Sequence, residues 1–135
     1  MPTFDVLQLP ELARLTLREP LYELRVNAHS EYRDFCEQVT RAGTHTGDLD
    51  KLQTMLLLHA QGLPIPPAKF KQLKRPKNDL IPDFEFKTSN LRLYLFKHPV
   101  SGKVVVCGGG ANKTQQPQDI ARMRRLKKQY YDSLT

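Results

Sequence analysis

Several things that would place a protein quickly are missing from this chain. No apolar run approaches the roughly 18 residues that a membrane span needs. The opening MPTFDVLQLPELARL lacks the basic start and continuous apolar stretch of a secretory leader, so a cytoplasmic protein is expected. Cysteine is scarce: Cys36 and Cys107 stand alone, without metal-ligand spacing, and read as buried thiols rather than as a disulfide or a zinc site. His29, His45, His59 and His98 are scattered, none beside Cys or an acid at ligand spacing, so neither a metal nor a cofactor is expected. There is no Gly-x-Ser-x-Gly element, no cysteine-nucleophile signature, no internal repeat and no low-complexity tract. Gly108 to Thr114 follows a strand-like run and precedes a helix-like one, as a phosphate-cradling loop does. Asn112, however, stands where that pattern needs glycine before Lys113, and Cys107 stands where it needs the first glycine. This argues against nucleotide hydrolysis and leaves a turn whose amides and Lys113 can contact an RNA phosphate.

What is present is positive charge, unevenly placed. At 135 residues and a net charge of +7 the chain is one domain with an ordinary core. Residues 1–62 hold six Lys/Arg against nine Asp/Glu, whereas residues 63–135 hold fifteen against five. A field of one sign over half a small domain suits a polyanion, most often nucleic acid, or an acidic protein partner. The alternative is a solvated basic surface kept for solubility.

The pattern of apolar residues gives an order of elements. Residues 1–20 are treated as an N-terminal extension with a short helix starting at Pro10, and residues 21–135 as the domain proper. Leu21–Val26 alternates apolar and charged residues, as a strand does. Ser30 is a good N-cap for a helix whose face is Tyr32, Phe35, Cys36 and Val39 and which ends near Gly43. A second helix, inner stripe Leu49, Leu52, Leu56 and Ala60, runs to about Gln61. The Pro- and Lys-rich segment Leu63–Leu80 reads as an irregular crossover. Phe84–Lys87, Leu91–Lys97 and Lys103–Cys107 are then three strands joined by short turns, hence an antiparallel meander. Pro117 opens a last helix, with Ile120, Met123, Tyr130 and Leu134 inward and Arg122, Arg124, Arg125, Lys127 and Lys128 outward. The expected fold is α+β: an antiparallel sheet of about four strands, a helical hairpin over its leucine face (Leu91, Leu93, Leu95), and an opposite face left partly open.

That open face would carry the chemistry. RNA can be cut without metal when a group helps deprotonate a 2′-hydroxyl and cations stabilise the charge developing on the phosphate. Arg92 suits the phosphate because its planar fork donates two bonds at once, and Lys87 and Lys113 can clamp it or exchange a proton. These three are the candidate catalytic residues. Lys74, Arg75, Lys77, Tyr94, Lys97, His98, Asn112 and Thr114 are the candidate RNA contacts, with Tyr94 either packing or stacking on a base.

Phe84-Glu85-Phe86-Lys87, a short turn, Leu91-Arg92-Leu93-Tyr94, the run VVVCGGG and the close Lys113-Thr114-Gln115 before a Pro-started basic helix together resemble the RelE/HigB group of the RelE/ParE superfamily. These are toxins of bacterial type II toxin–antitoxin systems, phage-derived relatives included. The resemblance spans roughly Leu21–Leu134, with the triple glycine and the first 20 residues as departures. It implies a ribosome-dependent mRNA endonuclease, or mRNA interferase, neutralised by a cognate antitoxin that is a small helix-turn-helix protein. Under it Lys87, Arg92 and Lys113 fall on basic and phosphate-stabilising positions, and Tyr130 or Tyr131 is a candidate general acid or base. Two other functions stay open: a ParE-like toxin that inhibits a protein such as a gyrase, and a nucleic-acid-binding module without activity.

Overall fold

The computed structural model describes residues 2–100, 102–106 and 113–134, Lys113 by its backbone alone; the glycine loop with Cys107 and Asn112 lies outside the described residues. Strand β1 (Phe4–Gln8) leads through a single 3-10 turn (Pro10–Leu12) to β2 (Leu21–Val26) and the two-residue β3 (His29–Ser30). Helices α1 (Glu31–Ala42) and α2 (Thr46–Ala60) follow, then β4 (Phe70–Gln72), β5 (Asp83–Lys87), β6 (Arg92–Lys97) and β7 (Lys103–Val106). A 3-10 turn (Lys113–Gln115) enters the last helix, α3 (Gln116–Ser133).

Local chemistry accounts for the helix boundaries. The Ser30 hydroxyl accepts the Arg33 N–H at 3.0 Å and caps α1, and Gly43 ends it in the left-handed conformation with φ of 76°. Pro117 sits in the first turn of α3, where its missing N–H costs nothing.

The class is α+β as expected, but the sheet is larger and mixed. Its seven strands run β1-β2-β7-β6-β5-β4, with β3 pairing β2. The β5–β6–β7 meander is antiparallel, as its short turns require. β2, however, lies parallel to β7, Leu21 opposite Lys103. The two helices carry the chain back across the sheet before the meander, so β2 meets β7 running the same way. Three strands among the described residues were not foreseen: the two-residue β3 and the two edges, β1 and β4. β1 comes from the N-terminal segment and pairs β2 from Phe4–Val26 to Gln8–Tyr22; β4 comes from the basic crossover and pairs β5.

Both faces of the sheet are covered. Leu91, Leu93, Leu95, Phe86 and Val105 meet Tyr32, Phe35 and Val39 of α1 and Leu49, Leu52 and Leu56 of α2, so the leucine face is core, with Leu9 and Leu12 closing it. The other face was expected to stay partly open. Instead α3 packs on it, burying Tyr94, Phe96, Val104 and Val106 under Met123, Leu126 and Tyr130. Leu134, expected inward, is exposed.

Lys127 overturns the simple amphipathic reading of α3. It was expected outside and is only 3% exposed. Its ammonium donates at 2.8 Å to Asp79 Oδ2, to the Ile81 carbonyl and to Asp83 Oδ2, which uses all three protons. Arg124 Nε adds a bond of 2.9 Å to Asp83, whose side chain has no exposed surface. The Lys127 pair is a buried anchor between α3 and the start of β5.

Candidate anion-binding site

At the end of the sheet where β5 finishes and β6 begins, Thr88 and Leu91 close a tight turn. The Thr88 N–H donates to the Leu91 carbonyl at 3.0 Å, and the Leu91 N–H returns to Thr88 Oγ1 at 3.1 Å. The Asn90 N–H donates to Asp48 Oδ2 at 2.8 Å, which pins the turn to the first residues of α2. Register then sets Lys87 directly opposite Arg92. On the other side the Lys87 N–H donates to the Lys69 carbonyl at 2.8 Å, just before Phe70 pairs Phe86. Side chains alternate, so Lys69, Lys87 and Arg92 form a row across three neighbouring strand segments on the α3 side.

Like charges placed opposite one another on a sheet face destabilise it. No carboxylate pairs with Lys69, Lys87 or Arg92 among the described residues. Arg92 Nη1 donates to the Thr88 and Leu91 carbonyls at 3.1 and 3.2 Å, which holds the guanidinium against the turn and leaves its other donors for a ligand. Such a row is stable only where an anion or bulk solvent answers it.

One step further in lies Glu85, opposite Tyr94 and 1% exposed. Gln116, the first residue of α3, donates to Glu85 Oε2 at 2.7 Å, and Lys71 Nζ lies 4.0 Å from Oε1. The Tyr94 hydroxyl beside it is buried, and among the described residues no group meets it at hydrogen-bond geometry, Glu85 being the nearby carboxylate. Burial, and then the nearby Glu85 and Asp119 carboxylates, hold the Tyr94 phenol far above its ordinary value. Asp119, in the first turn of α3, is also raised, by burial that Arg122 only partly offsets. An acid–base cluster therefore sits beneath the cation row, under the start of α3.

Of the three candidate catalytic residues, Lys87 and Arg92 are brought together. Lys113 has its backbone in the turn before α3, three residues from the Gln116–Glu85 contact, and its side chain lies outside the described residues, as does Asn112. Thr114 is exposed in the same turn. Tyr94 has no exposed surface, so its ring cannot stack on a base; the packing alternative is the observed one. Lys97 and His98 do not join the row. Lys97 ends β6 and His98 follows it, and the six residues of β6 span about 17 Å at ~3.3 Å each. Burial lowers the His98 pKa, and Nε2 lies 3.1 Å from the Tyr130 hydroxyl. Tyr130 and Tyr131 share that far end, where Tyr131 donates to the Lys97 carbonyl, and burial raises both phenols. The two tyrosines are thus remote from Arg92.

Lys74, Arg75 and Lys77 also lie toward the far end, after β4. Arg124 donates to the Lys74 carbonyl, and Arg75 to the Asp79 carbonyl at 3.2 Å. With exposed Lys69 and Lys71 they make the β4 edge a basic rail that leads away from the Lys87–Arg92 row. Sequence reasoning missed Lys69 and Lys71 as site residues, because a Pro-rich segment gave no strand register. Glu85 and Gln116 were missed too; the only signal for them was the face that Glu85 shares with Lys87.

Among the described residues no helix is long and apolar enough to cross a membrane, and no group of three His, Cys, Asp or Glu side chains is placed to hold a metal. Neither protein-family models, nor curated proteins, nor solved structures gave a match to this chain.

Proposed function

We propose that the protein is an RNA-cutting toxin of the RelE/HigB kind, an mRNA interferase that acts on ribosome-bound message and is held inactive by an antitoxin. The observation that carries this reading is the unpaired row Lys69–Lys87–Arg92 across adjacent strands, a charge arrangement that an RNA phosphate would relieve. In the reaction Arg92 and Lys87 stabilise the phosphate as negative charge builds on its oxygens, with Lys113 adding a third cation from the turn before α3. The 2′-oxygen bonds to phosphorus, the 5′-oxygen leaves with the pair of electrons from the broken P–O bond, and the 2′-proton passes to a base. The basic β4 edge with Lys69, Lys71, Lys74, Arg75 and Lys77 supports the flanking nucleotides. No metal or cofactor is part of the scheme.

Arg92→Ala should lower growth inhibition on expression, and cleavage of ribosome-programmed mRNA, by at least about a hundredfold, the scale of one transition-state donor. Circular dichroism should show an unchanged fold, since Arg92 is only half-buried. A folded Arg92→Ala variant with full cleavage would remove the assignment.

A second reading, a ParE-like toxin that blocks a protein such as a gyrase, is favoured by one finding: α3 covers Tyr94 and Phe96, so no aromatic ring on that face is open to a base. Accumulated DNA breaks with intact mRNA would select it.

A further inference from the structure

A second cationic recess lies at the other end of the sheet and on the opposite face, away from Arg92. It is a pocket of about 490 Å³ lined by Arg18, Glu19, Phe84, Lys97, Val100 and Lys103, with Pro20 and Gly102 also contributing. Lys97 and Lys103 stand directly opposite each other on β6 and β7, a second like-charge pair in register. Arg18 brings a third cation from the segment before β2. Against these stands one carboxylate, Glu19, which is already engaged. It accepts from Lys103 Nζ, and His59 Nε2 lies 3.4 Å away. Burial would raise the Glu19 carboxyl, but Lys103 and His59 outweigh that and hold it below its ordinary value.

The walls are fixed rather than fluid. The N–H groups of Arg18 and Glu19 both donate to the Ala60 carbonyl, at 2.8 and 3.1 Å, so the segment is tied to the end of α2. The Lys103 N–H donates to the Pro20 carbonyl at 3.1 Å. Gly102, at φ of 75°, lets that backbone close in: a Cβ there would meet Pro20 O at 2.1 Å. The Arg18 stem lies across Gly62, where a Cβ would come within 2.7 Å of its Cδ. Lys103 is 9% exposed, with its ammonium 4.9 Å from the centre of the Phe84 ring. Neither Arg18 nor Lys97 has a carboxylate partner among the described residues. Arg18, Lys97 and Lys103 against Glu19 leave an excess of two positive charges in a preshaped recess, before any contribution from His59.

We propose that this recess binds a phosphate group, with Arg18 and Lys97 clamping its oxygens at the mouth, Lys103 supplying charge from the floor and Phe84 facing the apolar part of an ester. The site is separate from the Lys69–Lys87–Arg92 row and stands whether or not that row cuts RNA. Amide NMR on the full chain tests it with two probes at matched ionic strength: inorganic phosphate, and a short single-stranded RNA without terminal phosphates. Shifts centred on Glu19, Phe84 and Lys103 are expected. Their appearance with inorganic phosphate marks a free anion as the ligand, and with the RNA alone a backbone diester; either supports the site. The variant Arg18→Ala/Lys97→Ala, altered only at exposed positions, should bind at least about tenfold more weakly, equivalent to ~1.4 kcal/mol. Arg18→Lys/Lys97→Arg should retain binding. Absence of shifts with both probes, or equal binding by the alanine double variant, overturns the proposal.

Discussion

Lys127 and Tyr94 show that burial of a polar side chain has opposite consequences depending on its partners. Lys127 has all three ammonium protons engaged, and Asp83 depends on it and on Arg124. Lys127→Ala leaves Asp83 buried with half its support, so a loss of about 3–5 kcal/mol is expected in denaturant unfolding, the usual effect of removing one partner of a buried ion pair. The Tyr94 hydroxyl lacks such a set of partners among the described residues and lies beside the Glu85 carboxylate without hydrogen-bond geometry. Tyr94→Phe therefore removes a desolvation cost, and the variant should unfold at the same temperature as the parent or higher in thermal melts. His59 adds a pH dependence. Its pKa is lowered in the fold, first by burial, and that of His98 is lowered likewise. The unfolded chain then takes up more protons than the folded one as pH falls below about 6.5. Stability should decline between pH 7 and 5, and the decline should be shallower in His59→Gln when thermal melts are compared across that range. Glu19 and Asp79 are held low, so their contribution is lost only at more acid pH, as it falls through their lowered values.

Among the elements, β1 and β4 carry what was least legible. The meander could be read because Leu91, Leu93 and Leu95 alternate with Arg92, Tyr94 and Phe96, and because its turns are too short for anything but antiparallel pairing. The helices could be read because Ser30, Gly43 and Pro117 mark their ends. FDVLQ, bounded by Pro2 and Pro10, and FKQ, inside a Pro- and Lys-rich crossover, are too short to show a period; only their pairing with β2 and β5 makes them strands. The parallel β2–β7 contact was hidden for a related reason: it joins segments some 80 residues apart, and no local pattern reports that. Much of the candidate site followed from the meander. Lys87 and Arg92 were legible because two strands and a tight turn force them opposite, whereas Lys69 needed the unseen register of β4. That α3 would cover the second face was not legible, since the five outward cations assigned to it concealed the inward role of Lys127. β1 buries Phe4 and Val6 against Leu24 and Val26. Deleting residues 1–8 should lower stability by roughly 1.5–3 kcal/mol, two half-buried apolar side chains at about half the ~1.5–3 kcal/mol of a fully buried one, and should expose the β2 edge to aggregation, visible in light scattering.

Across the molecule, the charge asymmetry along the sequence becomes an asymmetry in space. The acidic first half supplies α1 and α2 over the leucine face, and the basic second half supplies the β4 edge, the cation row and α3. An RNA strand laid along the β4 edge would meet Lys69, Lys71, Lys74, Arg75 and Lys77 in turn, with its reacting phosphate at Lys87 and Arg92. Binding of this kind releases counterions, so affinity for single-stranded RNA should fall linearly in log–log form with salt, by about 0.7 per phosphate engaged. If the Lys69–Lys87–Arg92 row handles a scissile phosphate, as proposed, removing its charge must abolish cleavage. Translation extracts programmed with a defined message, incubated with the purified protein or with Lys87→Ala/Arg92→Ala and analysed by primer extension, address it directly. New 5′ ends on ribosome-bound message with the parent and none with the folded double variant are predicted; cleavage of equal extent by both, or intact message with both, would contradict a nuclease role for the row.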